Sequence, residues 1–440
     1  MTVCFFRFKL EHLCVLVIGF KQEHVMERES ISEVRLRHQL DVQSRHVNRI
    51  FSQHRIPATI SGGEVQPGVV SFDLQSQIAV GLDRIKGLGD ELKTTLGVGA
   101  AALAQESGRW RLRIARPPEP ALSLPQLLSS LDELTPMTAA IGMADGGQPV
   151  LLRFAPNQVR HVLVAGDAGA GKSSLLRTIG TSLAVKNRQA NFQLVVMDPL
   201  GGQSQDGDSL LPLAYLPHLL TDPALNVESC VSLLGFLGDE LDYRRKEKIR
   251  HPNIIILIDH LVSLLVQDRT CLQDIVNILQ FGPQTGLHLV MATNRPDSRL
   301  LDTSFRSNLS LRFVGKLDQS NQAKRVAGIN ASQAHFLYGG GDFLAITSQD
   351  SNYFQAAYTG NYDLHMLLTD IYQTDRPRLL AQPYSPRLRL DDNLETNGKS
   401  KNRPFSIRNG SVAFENDGEN ETPLETDQSQ SNPVNSGGRQ

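Results

Sequence analysis

The sequence predicts an α/β protein: a mainly parallel sheet with helices between its strands, preceded by a small α+β block and followed by a polar tail. Three observations predict it. A short apolar run at 162–165 enters a glycine-rich loop and leaves it as a helix. Further short apolar runs recur downstream between helical segments, mostly without alternation, as expected of strands buried on both faces. Past Arg376 the composition turns to Asn, Ser, Gly, Pro, Glu and Asp with few large apolar residues, so the chain is expected to be disordered from about residue 392.

Residues 1–40 show no clear period and are expected to be a poorly ordered or helical extension. The apolar run at 14–20 is too short to span a bilayer and lacks a small-residue cleavage site, which fits either an irregular extension or a true start at Met26. Arg35, Arg37, Arg45 and Arg49 read as a solvated helical face, with phosphate contact as the sharper alternative. A helical pattern over 41–54 carries Val42, Val47, Ile50 and Phe51 and stops before Pro57. Strands follow at 58–60 and 69–74, and a helix over 82–95 lines up Leu82, Ile85, Leu88, Leu92 and Leu96. A strand at 110–114 then meets Pro117-Pro118-Glu119-Pro120. These elements make a small α/β domain over 41–136, with no cluster of titratable groups.

The second domain, 137–372, opens on a link with a Gly146-Gly147 turn. Its strands are expected at 162–165, 194–197, 254–258, 287–291, 309–313 and 343–346, and its helices at 173–185, 227–245 and 272–279. The remainder, 373–440, is the polar tail. A length of 440 residues suffices for two cores. A net charge of −2 gives no bulk attraction to nucleic acid, so any such contact must come from local basic loops. Cys4, Cys14, Cys230 and Cys271 have no metal-binding or redox spacing and are expected to be reduced thiols in the cytosol. No segment spans a membrane.

The glycine-rich loop reads Gly166-Asp167-Ala168-Gly169-Ala170-Gly171-Lys172-Ser173-Ser174 and fits G-x-x-x-x-G-K-[ST]. Its backbone N–H groups and the following helix N-terminus suit a phosphate chain. Lys172 would reach the β- and γ-phosphates of ATP, and Ser173 would hold Mg²⁺. The second metal-side residue is expected at the end of an apolar strand, and residues 252–259, PNIIILID, supply Asp259 in that position.

These blocks resemble the FtsK/SpoIIIE family of DNA translocases. HVLVAGDAGAGKSS at 161–174 is similar to the family's phosphate loop, VVMDP at 195–199 with PHLLT at 217–221 to its next strand and turn, and GLHLVMATNRP at 286–296 to its sensor strand. Arg306-Ser307-Asn308-Leu309 and GGGDFL at 339–344 are similar to later segments, and the likeness covers about residues 42–372. The resemblance implies a RecA-like P-loop NTPase domain, ATP and Mg²⁺ as cofactors, double-stranded DNA as partner, and a homo-oligomer in the form of a hexameric ring. It implies Lys172, Asp259, His260 and Asn294 as the catalytic set. His260 stands where the family usually has the Glu that activates water, Asn294 where it has Gln, and Leu200 where it has Lys. QFGPQ at 280–284 replaces a stretch that is usually basic. Arg295, Arg306 and Arg312 are candidates to act across a ring interface, and Arg244, Arg245, Lys246, Lys248 and Arg250 to touch DNA or a neighbour. The family's winged-helix domain and membrane anchor are not apparent. The function expected is ATP-driven DNA translocation; the alternatives are a hydrolysis-deficient, ATP-gated DNA-binding scaffold and an ATPase of the type VII secretion kind.

Overall fold

A computed structural model describes residues 31–374, apart from short segments of which 318–333 is the longest, together with two short strands within 407–412. The remaining parts of the expected extension and tail, and Arg306, lie outside the described residues.

Helix α1 (Ile31–Gln53) begins ten residues before the apolar pattern made it legible, and its exposed face carries Arg37, Arg45 and Arg49. It packs on an antiparallel sheet of order β1-β2-β4-β3, from β1 (Ala58–Gln66), β2 (Val69–Ser76), β3 (Ala101–Glu106) and β4 (Arg109–Ala115). Helix α2 (Gly89–Leu96) closes the block. Val47, Ile50, Phe51, Val70, Phe72, Ile85, Leu92, Leu112 and Ile114 form its core, with Leu88 and Leu96 partly buried against it. Of the predicted α1 face Val42 is instead exposed, and Leu82 lies outside the described residues. Asn48 of α1 accepts the Ile60 N–H at 2.9 Å, which fixes helix to sheet. On β4, Arg111 spans Asp73 and Glu64, each at 2.8 Å.

Helix α3 (Leu124–Ser129) sets Leu124, Leu127 and Leu128 in a cluster with Ala140 of the larger sheet, Ala357 just after one of its strands and Leu367 of the helix that follows. That sheet has nine strands in the order β6-β5-β13-β12-β11-β7-β10-β9-β8. They are β5 (Thr138–Ala144), β6 (Gln148–Arg153), β7 (Val162–Ala165), β8 (Phe192–Met197), β9 (Asn253–Ile258), β10 (Leu287–Thr293), β11 (Leu311–Val314), β12 (Asp342–Ile346) and β13 (Ser351–Ala356). From β11 to β8 the strands run parallel; from β12 to β6 they are antiparallel. β7 is central, flanked by β10 and β11, and the chain reverses its direction of sheet-building beside it. That is where open α/β sheets place ligands.

Alternate residues of the parallel strands enter different cores. Val162, Val164, Leu194, Val196, Ile255 and Leu257 pack with α4 (Lys172–Lys186) on one face. Leu163, Val195, Ile254, Ile256 and Ile258 pack on the other with α5 (Val227–Glu247), α6 (Leu261–Gln267) and α7 (Cys271–Thr285). Burial on both faces is why these strands read as continuous apolar runs. Helix α4 is buried along nearly its whole length. It lies between the sheet and α8 (Asn361–Thr374), where Arg177 donates to Asn361 at 2.6 Å. The edge strand β8 is covered by residues 217–224, the PHLLT segment and the three residues after it, which run beside it through Leu194 with Leu219 and Met197 with Ala224. No described helix is long and apolar enough to cross a membrane. Separately, Ile407–Arg408 and Ser411–Val412 pair as two antiparallel strands.

Candidate nucleotide site

The phosphate loop joins β7 to α4 at the carboxyl ends of the parallel strands. Gly166 donates its N–H to Thr293 of β10 at 3.3 Å, and Asp167 donates to the Lys316 carbonyl at 2.8 Å. Ala168 and Gly169 form an exposed tip, whereas Ala170, Lys172 and Ser173 are buried. Gly171 has φ 88°, and a Cβ there would sit 2.7 Å from the Gly341 nitrogen. Both the conformation and the space therefore require glycine at that position. Lys172 is 3% exposed and its ammonium donates to the Asp167 carbonyl at 2.8 Å, so the cation is held against the loop. The first N–H groups of α4, at Lys172, Ser173 and Ser174, are helix-terminal donors with the positive end of the dipole behind them.

Ser173 donates its hydroxyl to Asp259 Oδ2 at 2.5 Å, bringing together residues 86 apart in sequence. Asp259 ends β9 and is 1% exposed. A hydroxyl and a carboxylate meeting in a buried site are the oxygen donors a hard divalent cation takes, so the residues fit Mg²⁺. No group of three or more His, Cys, Asp or Glu among the described residues is placed to hold a metal alone, and the remaining ligands would be phosphate oxygens and water.

His260 follows in the left-handed conformation, φ 49°, and its N–H donates to Asp259 Oδ1 at 2.8 Å. Its Nε2 lies 3.9 Å from Asp259 Oδ2 and has no hydrogen-bond partner among the described residues. Asn294 is exposed directly after Thr293, the residue whose carbonyl holds the loop at Gly166. Asp198 at the end of β8 accepts the N–H groups of Leu200 at 3.1 Å and Gly202 at 2.8 Å. Burial pushes its carboxyl above the ordinary value and the nearby Asp259 adds to this, while the two N–H groups act in the other direction. Leu200, at the position where a lysine was expected, is partly exposed beyond that turn.

The structure brings Lys172, Ser173, Asp259 and His260 into one neighbourhood, with Asn294 at its rim. It corrects one candidate: Arg244 is not a surface cation. It is 1% exposed and reaches Glu240 at 2.7 Å, the Pro252 carbonyl at 2.7 Å and the Thr285 carbonyl at 3.0 Å. Arg245, Lys246, Lys248 and Arg250 are exposed, but they sit where α5 turns into β9, at the end of the sheet opposite the phosphate loop. Arg295 is exposed and Arg312 half-buried on β11. What sequence reasoning did not find is the role of Gly339-Gly340-Gly341. Gly340 donates to the Gly169 carbonyl at 2.7 Å and Gly341 to the Ala170 carbonyl at 3.1 Å, so this segment clamps the phosphate loop. Three adjacent glycines were the available signal, each now at positive φ.

A family model described as "FtsK/SpoIIIE family" matches residues 132–255, which include the phosphate loop and stop short of Asp259. Among curated proteins, the chain is 25% identical over 307 residues to DNA translocase SftA of Bacillus subtilis, covering 63% of this chain and 31% of that protein. It is 22% identical over 399 residues to DNA translocase FtsK of Mycobacterium tuberculosis, covering 79% and 46%. The chain thus spans less than half the length of these relatives. Among solved structures, the pCW3 conjugation coupling protein TcpA with ATPγS matches at a TM-score of 0.53 and 19% identity, over 76% of this chain and 100% of that one. The cytoplasmic domain of the type VII secretion ATPase EccC of Thermomonospora curvata matches at 0.51 and 22%, over 60% and 36%. At these identities the two likenesses show the fold alone.

Proposed function

We propose, from the match of residues 132–255 to the FtsK/SpoIIIE family model and the likeness to DNA translocases, that the protein is an ATP-driven motor that moves duplex DNA through a homo-oligomeric ring. The observation that carries the reading is the convergence of Lys172, Ser173 and Asp259 at the ends of β7 and β9. Lys172 and the α4 N-terminus would bind the β- and γ-phosphates, and Ser173 and Asp259 would hold Mg²⁺. The cation supplies charge neutralisation on the phosphates. His260, with an unpartnered buried nitrogen beside Asp259, would orient the attacking water and accept its proton, and Asn294 would contact the γ-phosphate side. Domains at 41–136 and 137–372 and a cytosolic location belong to the same proposal. Cys230 and Cys271 are buried free thiols, raised by burial to about 12 and about 11.

The test is ATP turnover by the purified chain with and without linear duplex DNA. Turnover that DNA stimulates and Lys172→Ala abolishes is the expected result; DNA-independent turnover would remove the DNA motor. A second reading, an ATP-gated DNA-binding scaffold, is favoured by His260 alone, because an imidazole lacks the charge of the carboxylate it replaces. DNA retention that depends on ATP, with turnover only in His260→Glu, would establish it.

A further inference from the structure

The clamp on the phosphate loop has its other end in the four-stranded block. Phe336 is 1% exposed and belongs to the core formed by Val47, Phe51, Phe72 and Leu112, with the Arg113 guanidinium 5.2 Å over its ring. Leu337, the next residue, points into a different cluster with Ala165, the last residue of β7. Tyr338 returns to the block: its hydroxyl accepts the Gly99 N–H at 3.0 Å, and its ring would lie 3.3 Å from a Cβ on Gly99. The Tyr338 N–H then donates to Asp342 at 3.1 Å, closing a turn around the three glycines, of which Gly340 and Gly341 hold the carbonyls of Gly169 and Ala170. The far side of the clamp is tied to β13, where Ala356 donates to Gly341 at 2.7 Å and Gln355 to Gly340 at 3.2 Å.

Seven residues therefore connect the core of one sheet to the phosphate loop of the other, and the glycine turn among them is held by the N–H groups of Tyr338, Gly340 and Gly341. We propose that residues 336–342 are a strap through which the four-stranded block positions the phosphate loop, and that Tyr338 is its positioning residue. The inference rests on the nucleotide reading of that loop. If the block shapes the loop that binds nucleotide, bound nucleotide must in turn stabilise the block, because coupling free energy is reciprocal.

The chain carries its own reporter. Its single tryptophan, Trp110, lies on β4 and packs against the core that receives Phe336. The experiment titrates the full chain with ATPγS, following binding by calorimetry and the block by Trp110 emission, and repeats urea unfolding with and without nucleotide. Saturating ATPγS is expected to change Trp110 emission and to move its urea midpoint upward. Tyr338→Phe removes only the hydroxyl; it should bind ATPγS no more than about fivefold more weakly, the worth of one neutral hydrogen bond. Its Trp110 response should fall by more than half. Gly99→Ala attacks the same contact from the block's side while keeping the hydroxyl, and should do likewise. Calorimetric binding with an unmoved Trp110, or with a full response in both variants, overturns the strap and leaves the nucleotide site standing. No binding heat from the unaltered chain removes both.

Discussion

The two ends of the parallel sheet use the same residue types to opposite purpose. At the amino ends of β7, β9 and β10, buried charged and titratable groups bond mainly to the chain's own backbone and to each other. Arg244 meets Glu240 and two carbonyls. His161 accepts the Leu289 N–H at 3.0 Å, and His288 donates to the Arg160 carbonyl at 2.8 Å. At the carboxyl ends, Lys172 holds its own loop's carbonyl and His260 Nε2 holds nothing among the described residues. A buried polar group is costly unless paired, so an arrangement that leaves pairing capacity directed into one place has a use for it there. Burial alone does not mark a functional residue; at the carboxyl ends it is the meeting of Lys172, Ser173, Asp259 and His260 beside the glycine-rich loop that does.

The largest expected effects separate the two ends. His260→Ala removes the proposed base beside Asp259 and should lower ATP turnover by about 10² to 10⁴-fold, the usual worth of a general base. It should leave the urea midpoint nearly unchanged. Arg244→Met should do the reverse. It strands Glu240, 3% exposed, without its cation, and breaking such a pair costs about 3–5 kcal/mol. Urea unfolding would read that loss. ATPγS affinity measured on the folded fraction should not move, and the double variant with Glu240→Leu should recover most of the stability. A fall in nucleotide affinity from Arg244→Met without loss of stability would break the distinction between the ends.

Much of this geometry was legible beforehand, for reasons that also explain the gaps. Strands β7 to β10 announced themselves because burial on both faces leaves no polar positions. The loop and Asp259 were visible because phosphate and Mg²⁺ demand particular residues at fixed spacing. β13, SNYFQA, was not visible, since its first residues are polar and its pairing partners lie in distant segments. Helix α6 was hidden because only Asp259 and His260 separate the apolar run of β9 from its own, and the break is made by a left-handed His260 rather than by glycine or proline. Arg244 was misplaced because a cation in a last helical turn is favoured on a surface too, and nothing in sequence showed that Pro252 and Thr285 would converge on it. The clamp by Gly339–Gly341 joins segments some 170 residues apart through backbone atoms alone, which no side-chain pattern records.

The histidines offer a smaller effect that sharpens the same comparison. Burial lowers His161 from 6.5 to about 3, with His288 adding to it, and burial lowers His288 from 6.5 to about 4. Between the folded and unfolded values the unfolded chain binds more protons. Their contribution is therefore complete above about pH 6.5 and is lost as pH falls toward 3, at about 1.4 kcal/mol per pH unit for each ring. Unfolding free energies measured from pH 7 to 4 should show this limb, and His288→Leu should make it shallower by about half. An unchanged slope would mean that these rings are not the buried neutral pair that holds the amino ends together.

The smallest expected effect lies on the exposed cations of the same end. The Arg245 guanidinium stacks 4.0 Å from the Phe281 ring centre and sits 3.5 Å from Asp242, while its side chain remains 46% exposed. A stacked, solvated cation of this kind is worth about 0.5–1 kcal/mol, and the exposed ion pair adds little because salt and water screen it. Arg245→Ala should therefore lower stability by no more than about 1 kcal/mol, against several times that for its neighbour Arg244. Arg245→Lys should not restore it, because an ammonium does not reproduce a planar stack. Two adjacent arginines on one helix, differing several-fold in unfolding free energy, would place the boundary between spent and solvated charge between two consecutive residues; equal losses would mean that the stack on Phe281 matters as much as the buried pair.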